Sequence, residues 1–426
     1  MPETPASAEG AAKTLSNLRV NGTRLWSSLM VMATIGPGPK GGSHRLTLTE
    51  DDKVARDLLV SWCEDLGCKI RVDSVGNIFA RRSGTDDRLP PVLIGSHLDT
   101  QPHGGRFDGV LGVLAALEVL RSLHEQGIRT RHPVELVNWT NEEGSRFAPG
   151  LVGSAAYAGI FDDDTAWSSR DADGVSFGDA LKAIGYRGPT PAKGVPPRAY
   201  IELHIEQGPL LEDQEVDVGI VTQVQGLRWF DVTFTGIEGH AGTVPMNQRR
   251  DAMMGAARLM ERVYDIALAY APNAVGTVGA LKVHPGSRNV IPGSVTLAID
   301  MRSPSPEALA GMEVKLQTGA TLIAAELNLG VEVRVPTRLA PVVFDQTLVN
   351  AVRKAAEQLG YRHRNIVSGA VHDACYMAAI APTAMIFAPC VKGISHNEAE
   401  DIRPEWATAG TNVLYHAVLE TAGVVA

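Results

Sequence analysis

The sequence predicts an α/β protein: a mixed, mainly parallel sheet flanked by helices, interrupted by an inserted ferredoxin-like α+β domain. Three observations carry that expectation. Short apolar runs at 92–94, 134–139 and 385–387 are set between stretches of helical periodicity, as in strands joined by crossover helices. Residues capable of metal or acid–base chemistry follow those runs directly, where ligands of open α/β sheets sit. Between about 219 and 340 the order changes to β-α-β-β-α-β, the ferredoxin-like sequence of elements. The expected division is therefore 1–218 and 339–426 for a catalytic domain in two parts, with 219–338 inserted between them.

Taken in order, the first fifteen or so residues are rich in Ala, Pro, Glu and Ser and read as a loose tail. A helix is expected over 21–35, and a second over 49–66, opened by the cap-like Thr49 and the acids Glu50, Asp51 and Asp52 and closed by Gly67. Strands are expected at 69–72, 77–81 and 92–96, then a helix from Val110 and a strand over 134–139. Arg198 to Ile205 alternates into another strand. In the insertion, 229–235, 275–283, 294–302 and 331–335 read as strands and 251–270 and 306–327 as helices.

The chain is long enough for two domains, with 426 residues, 44% hydrophobic and 20% charged, an ordinary globular balance. A net charge of −9, from 39 basic and 48 acidic residues, argues against a nucleic-acid surface and leaves no polybasic patch for a membrane. No apolar run has transmembrane length, and the N-terminus lacks a signal-peptide core. Four sparse cysteines without CxxC spacing suit burial in a reducing, cytoplasmic compartment.

The chemistry starts at Gly95-Ser96-His97-Leu98-Asp99-Thr100 and Gly104-Gly105-Arg106-Phe107-Asp108-Gly109. His97 and Asp99 are two apart, so on extended backbone they point the same way, and a carboxylate can hold an imidazole. Asp108 precedes a helix, where an acid serves equally well as an N-cap. After the strand 134–139 come Glu142 and Glu143. They suit a solvated loop, or a division of labour in which one binds metal and the other is a general base; the second requires the chain to have turned, which Gly144 permits. His204 ends a strand-like run, and His396 follows an apolar strand and a glycine. His97, Asp108, Glu143, His204 and His396 thus form an imidazole–carboxylate set of the kind zinc favours, and one shared carboxylate suits two ions roughly 3.5–4 Å apart. In the insertion, His240 lies in a glycine-flanked turn, and Arg302 ends a strand, where it suits either a substrate carboxylate or a surface ion pair.

Together the pieces GSHLDT…GGRFDGVLGV, NEEGSRF, ELHIEQGP, GHAGTVPM, NVIPG, DMR and GISHNEAE resemble the hydantoinase/carbamoylase branch of the zinc-dependent aminoacylase and carboxypeptidase superfamily, over about residues 20–420. The branch includes N-carbamoyl-L-amino acid hydrolases, allantoate amidohydrolases and β-ureidopropionases. The resemblance implies an α/β catalytic domain, with the insertion as a lid that also makes a homodimer. It implies His97 and His204 on one divalent ion, Glu143 and His396 on the other, Asp108 bridging, Asp99 behind His97, and Glu142 as base. Gln207, Gly369, Asn289 and Arg302 would contact the substrate, the last two its carboxylate, and His240 would stabilise the oxyanion. Zinc is the expected metal, with manganese, cobalt and nickel also compatible. Val371 departs from the family's usual glycine and puts the substrate contact of the Gly369 loop in question.

The implied reaction is hydrolysis of N-carbamoyl-L-amino acids to amino acid, ammonia and carbon dioxide. Trp229 occupies a position where allantoate-type members carry a basic residue; an indole lacks the donors a polar ureido tail needs and would line an apolar pocket or the lid core. Allantoate and N-carbamoyl-β-alanine are the alternative substrates. A silent binding protein on the same scaffold would lack Glu142 or a ligand, and none is missing.

Overall fold

The computed structural model describes residues 17–425, so the loose tail expected before them lies outside the described residues. Among these residues two compact units form: 17–222 with 343–425, and 223–342.

In the first unit, strands β1 (Lys69–Val72), β2 (Ile78–Arg82), β3 (Val92–His97), β4 (Val134–Trp139), β5 (Ala199–Ile205) and β6 (Val218–Val224) precede the insertion. The sheet is mixed. β4, β3, β5 and a returning strand, Thr383–Ala388, lie side by side and parallel at its centre, while β1, β2 and β6 add antiparallel edges. All four central strands are buried along their whole length, as expected of parallel strands covered on both faces. Helix α1 (Gly22–Met32) is capped by Asn21, which accepts from the Arg24 amide, and α2 (Glu50–Glu64) by Thr49, which accepts from the Asp52 amide. Helix α3 (Val110–Glu125) covers β3, and Pro404–Ala422 packs on α1, α3 and the central strands. The short helices Val152–Tyr157 and Ala374–Met377 also pack on these strands. The four parallel strands therefore end together, and their following loops carry the site.

The second unit contains β7 (Gly226–Thr235), α4 (Ala252–Leu268), β8 (Val275–His284), β9 (Ser294–Ser303), α5 (Pro306–Glu326) and β10 (Gly330–Leu339). Its sheet order is β8-β9-β7-β10, wholly antiparallel. Strand alternation sends Phe230, Val232, Phe234, Val295, Leu297 and Ile299 into a core with Leu259 and Val263 of α4 and Met312 and Leu316 of α5. Each such buried side chain contributes roughly 1.5–3 kcal/mol. The other sheet face carries Trp229 directly opposite Asp300, and Thr233 opposite Thr296.

Candidate metal centre

His97 is the last residue of β3, and its Nδ1 bonds the backbone carbonyl of Asp99 at 2.9 Å. His204 lies at the end of β5, and its Nδ1 bonds the carbonyl of Ile205 at 2.9 Å. Both rings therefore keep the proton on Nδ1 and turn Nε2 toward the carboxylates. Asp108 sits between the histidines: Oδ1 is 3.1 Å from His204 Nε2, and Oδ2 is 3.3 Å from His396 Nε2. His396 Nε2 is also 3.6 Å from Glu143 Oε2. The ligating atoms of His97, Asp108 and His204 lie within 4.8 Å of one another, as do those of Asp108, Glu143 and His396. Two donor groups thus share Asp108. Asp108 does not act as a side-chain cap, because Gly109 occupies the N-cap position of α3 and no side chain caps it.

The electrostatics describe a pocket short of positive charge. Burial raises the Asp108 carboxyl, but hydrogen bonds from His204 and His396 overcome that and hold it well below the usual range. Burial lowers His204, and Asp108 more than compensates, so His204 rises to about 9; His396, bonded to the same carboxylate, also rises to about 9. For His97 burial outweighs the pull of Asp108 and depresses it to about 4. Glu143 is pushed to about 8 by burial and by Asp108. Its buried Oε1 has no hydrogen-bond partner. Carboxylates crowded among protonated imidazoles, with an orphaned acceptor, fit divalent cations, which would displace those protons.

Glu142 Oε2 is 3.5 Å from His97 Nε2. Its carboxyl is raised well above the usual range by burial and by Asp373, Glu143 and Asp108. Neither glutamate is in a solvated loop: the chain turns immediately after β4, through the left-handed Asn141 (φ 59°) as well as Gly144. Asp99 holds that turn. Its Oδ1 accepts from the Glu142 amide at 3.3 Å and its Oδ2 from the Glu143 amide at 3.2 Å, whereas its carboxylate is 3.9 Å from His97 Nδ1. The carboxylate expected behind His97 is replaced there by the same residue's backbone carbonyl, because β3 ends at His97 and the alternation of side chains ends with it.

Gln207 Nε2 donates to Asp108 Oδ2 at 3.0 Å and lies 3.4 Å from His396 Nε2. Sequence reasoning missed Gln101, which donates to Glu143 Oε2 at 2.6 Å, and also Ser395 and Glu400, which bond the Asp108 loop. It also left His372 and Asp373 without a role. His372 packs against His204 in a tilted arrangement, ring centroids 4.4 Å apart and planes at 59°. Glu202, His204 and His372 form a third close donor group. Glu202 already accepts from Ser96, Tyr200 and the Ala374 amide, and His372 Nε2 pairs with Ser368 Oγ at 3.0 Å, so this group is a hydrogen-bond network. Gly369 is exposed in the loop after Ser368.

In the second unit, His240 and Val290 pair across a two-stranded ladder, and the Ala241 amide bonds the Asn289 carbonyl at 2.9 Å, so His240 and Asn289 share one loop cluster. Arg302 forks onto Asp300, with Nη2 to Oδ2 at 2.8 Å. Trp229 is 46% exposed on the sheet face away from the core, so it is not a core aromatic of this unit.

Residues 93–420 match the model of Peptidase family M20/M25/M40. The crystal structure of an amidase of the hydantoinase/carbamoylase family from Burkholderia multivorans is 53% identical, with a TM-score of 0.92 over 95% of this chain and 98% of that one. The chain belongs to this amidase family. Membership makes it a hydrolase of amide-type C–N bonds. Among curated relatives, an N-carbamoyl-L-amino-acid amidohydrolase of Rhizobium meliloti is 51% identical over 96% of this chain and 98% of its own. A more distant relative, a ureidoglycolate hydrolase of Arabidopsis thaliana, is 34% identical over 95% of this chain and 87% of its own. Among the described residues, no helix is long and apolar enough to cross a membrane.

Proposed function

We propose that this amidase cleaves the carbamoyl C–N bond of N-carbamoyl-L-amino acids, releasing amino acid, ammonia and carbon dioxide. The observation that carries the reading is the pair of donor groups sharing Asp108 with Glu142 alongside. It is supported by 51% identity to a relative named for this reaction. His97, Asp108 and His204 would hold one divalent ion, and Asp108, Glu143 and His396 the other. Zinc suits the donor set, and manganese, cobalt or nickel are compatible. Such ions supply Lewis-acid activation of water and a counter-charge for developing oxyanions.

The chain's own residues do the rest. Glu142 takes a proton from the attacking water as its oxygen bonds the ureido carbon, then returns that proton to the amino-acid nitrogen as the C–N bond breaks. The carbamate released falls apart to ammonia and carbon dioxide. In the metal-free chain, burial and neighbouring carboxylates raise the Glu142 carboxyl above the usual range, which favours its acting as the acid of the second step. Asp99 fixes the backbone that aims it. Gln207 and the Gly369 loop contact the ureido group, His240 donates to the oxyanion, and Asn289 and Arg302 hold the substrate carboxylate. Trp229 shares the open sheet face of the second unit with Asp300 and suits an apolar amino-acid side chain.

The 223–342 unit acts as lid and homodimer contact, and domain closure gates turnover. All four cysteines are free, which suits a cytoplasmic enzyme. The Arabidopsis relative favours a second reading, in which the substrate is a ureido acid such as ureidoglycolate, allantoate or N-carbamoyl-β-alanine. The test offers metal-reconstituted protein N-carbamoyl-L-methionine, N-carbamoyl-β-alanine, allantoate, ureidoglycolate and N-acetyl-methionine. Preference for the first supports the proposal; activity confined to the acetyl compound refutes it.

A further inference from the structure

Asp108 must hold its carboxylate between two donor groups, yet it lies on a loop, before the first turn of α3. One buried side chain, contributed from nearly three hundred residues away, fixes that loop. Glu400 Oε1 accepts from the backbone amides of Phe107 at 3.0 Å and Asp108 at 3.1 Å. Its Oε2 is 3.0 Å from Ser395 Oγ, which in turn lies 3.2 Å from Asp108 Oδ2. The carboxylate thus grips the backbone of Asp108, and Ser395, with a single hydroxyl proton to donate, stands between the two carboxylates. Ser395 also adjoins His396 in sequence, so the same contact couples the second donor group to the first. The approach is close: a Cβ on Gly105 would lie 1.9 Å from Glu400 Cδ and Oε1. Arg106 to Asp401, at 3.0 Å, adds a second tie between the two segments.

We propose that Glu400 is the positioning residue of the metal centre: it touches neither ion nor substrate, and it sets Asp108 where both ions require it. The role rests on the two-ion reading above. Its chemistry is hydrogen-bond acceptance, which leads to a discriminating expectation. In Glu400→Gln, the amide oxygen still accepts both backbone N–H groups, and the amide nitrogen donates to Ser395 Oγ, freeing the hydroxyl to donate to Asp108. In Glu400→Ala, two buried N–H groups lose their acceptor and the loop is released.

The test titrates zinc into chelator-treated wild-type, Glu400→Gln, Glu400→Ala and Ser395→Ala proteins by calorimetry, with circular dichroism confirming that each is folded. Glu400→Ala should bind both ions about 10–100-fold more weakly, the range for residues that orient ligands. Glu400→Gln should bind within a few-fold of wild type. Ser395→Ala, which keeps the backbone grip, should lie between them and serves if Glu400→Ala does not fold. Wild-type affinity in Glu400→Ala, or equal loss in Glu400→Gln and Glu400→Ala, overturns the positioning role alone. Failure of the wild-type protein to take up any ion overturns the two-ion reading and this role with it.

Discussion

Gly109 offers a perturbation whose size can be worked from the structure. It lies in left-handed backbone at φ +67°, and a Cβ there would sit 2.3 Å from His97 Cε1 and Nε2 and 2.5 Å from Cδ2. Ordinary carbon contacts are about 3.5–4.0 Å, so the imidazole would have to retreat by roughly 1.2 Å. Metal–ligand distances tolerate only about 0.2 Å. Gly109→Ala should therefore cost the metal site far more than its fold. The backbone component is measurable separately. Gly127 also has a positive φ, +64°, and a Cβ added there would meet no atom within 4 Å. Gly127→Ala should lose roughly 1–2 kcal/mol from positive-φ strain alone, and Gly109→Ala, at ψ −45° and against the buried His97 ring, should lose more, seen as shifts in denaturant midpoint of the metal-free proteins. Only Gly109→Ala should lose zinc affinity, by about 10–100-fold or more, in a competition assay against a chromophoric chelator. Equal zinc affinity in the two variants would refute the placement of His97 Nε2 as a ligand.

Three further outcomes follow from the same geometry. Glu142→Gln removes the base without removing a metal donor, so metal content should stay at the wild-type value while kcat falls by about 10²–10⁴-fold; metal analysis beside a steady-state assay checks both. Asp99→Ala leaves the amides of Glu142 and Glu143 without their acceptor, and should weaken metal binding and turnover together, by about 10–100-fold, whereas Asp99→Asn, which retains an acceptor oxygen, should lose less. Chelation should make stability strongly pH-dependent. In the metal-free protein Glu143 and Glu400 are held near about 8 by burial, and His204 and His396 near about 9 by Asp108. All four bind protons more tightly folded than unfolded, so the metal-free protein loses stability as pH rises from about 6.5 to 8. The depressed His97 acts oppositely, but its effect is complete above the unfolded histidine value of about 6.5. Thermal melts with and without zinc should diverge across that interval; a gap that narrows with rising pH would contradict the charge arrangement.

What was legible in the sequence depended on how regular the backbone is at each residue. The strands that carry the site are apolar runs with sharp ends, and His97, Glu143, His204 and His396 lie at or beyond the ends of four neighbouring parallel strands, so their convergence could be read from order alone. The role of Glu400 could not, because it depends on an approach to Gly105 from far along the chain; the doubled glycine was visible, but not what it makes room for. The i, i+2 rule shows the boundary most clearly. At Asp300 and Arg302 it holds: both lie inside the ten-residue β9, their side chains share one face, and the guanidinium forks onto the carboxylate. At His97 and Asp99 it fails: β3 stops at His97, and the Asp99 carbonyl rather than its carboxylate meets the ring. The freed carboxylate reaches the next loop and holds the two amides behind Glu142 and Glu143. Strand periodicity thus predicts partners only while the strand lasts. Catalytic loops begin where it ends, so the residues that carry chemistry there can be named from sequence, while the hydrogen bonds that aim them have to be read from the fold.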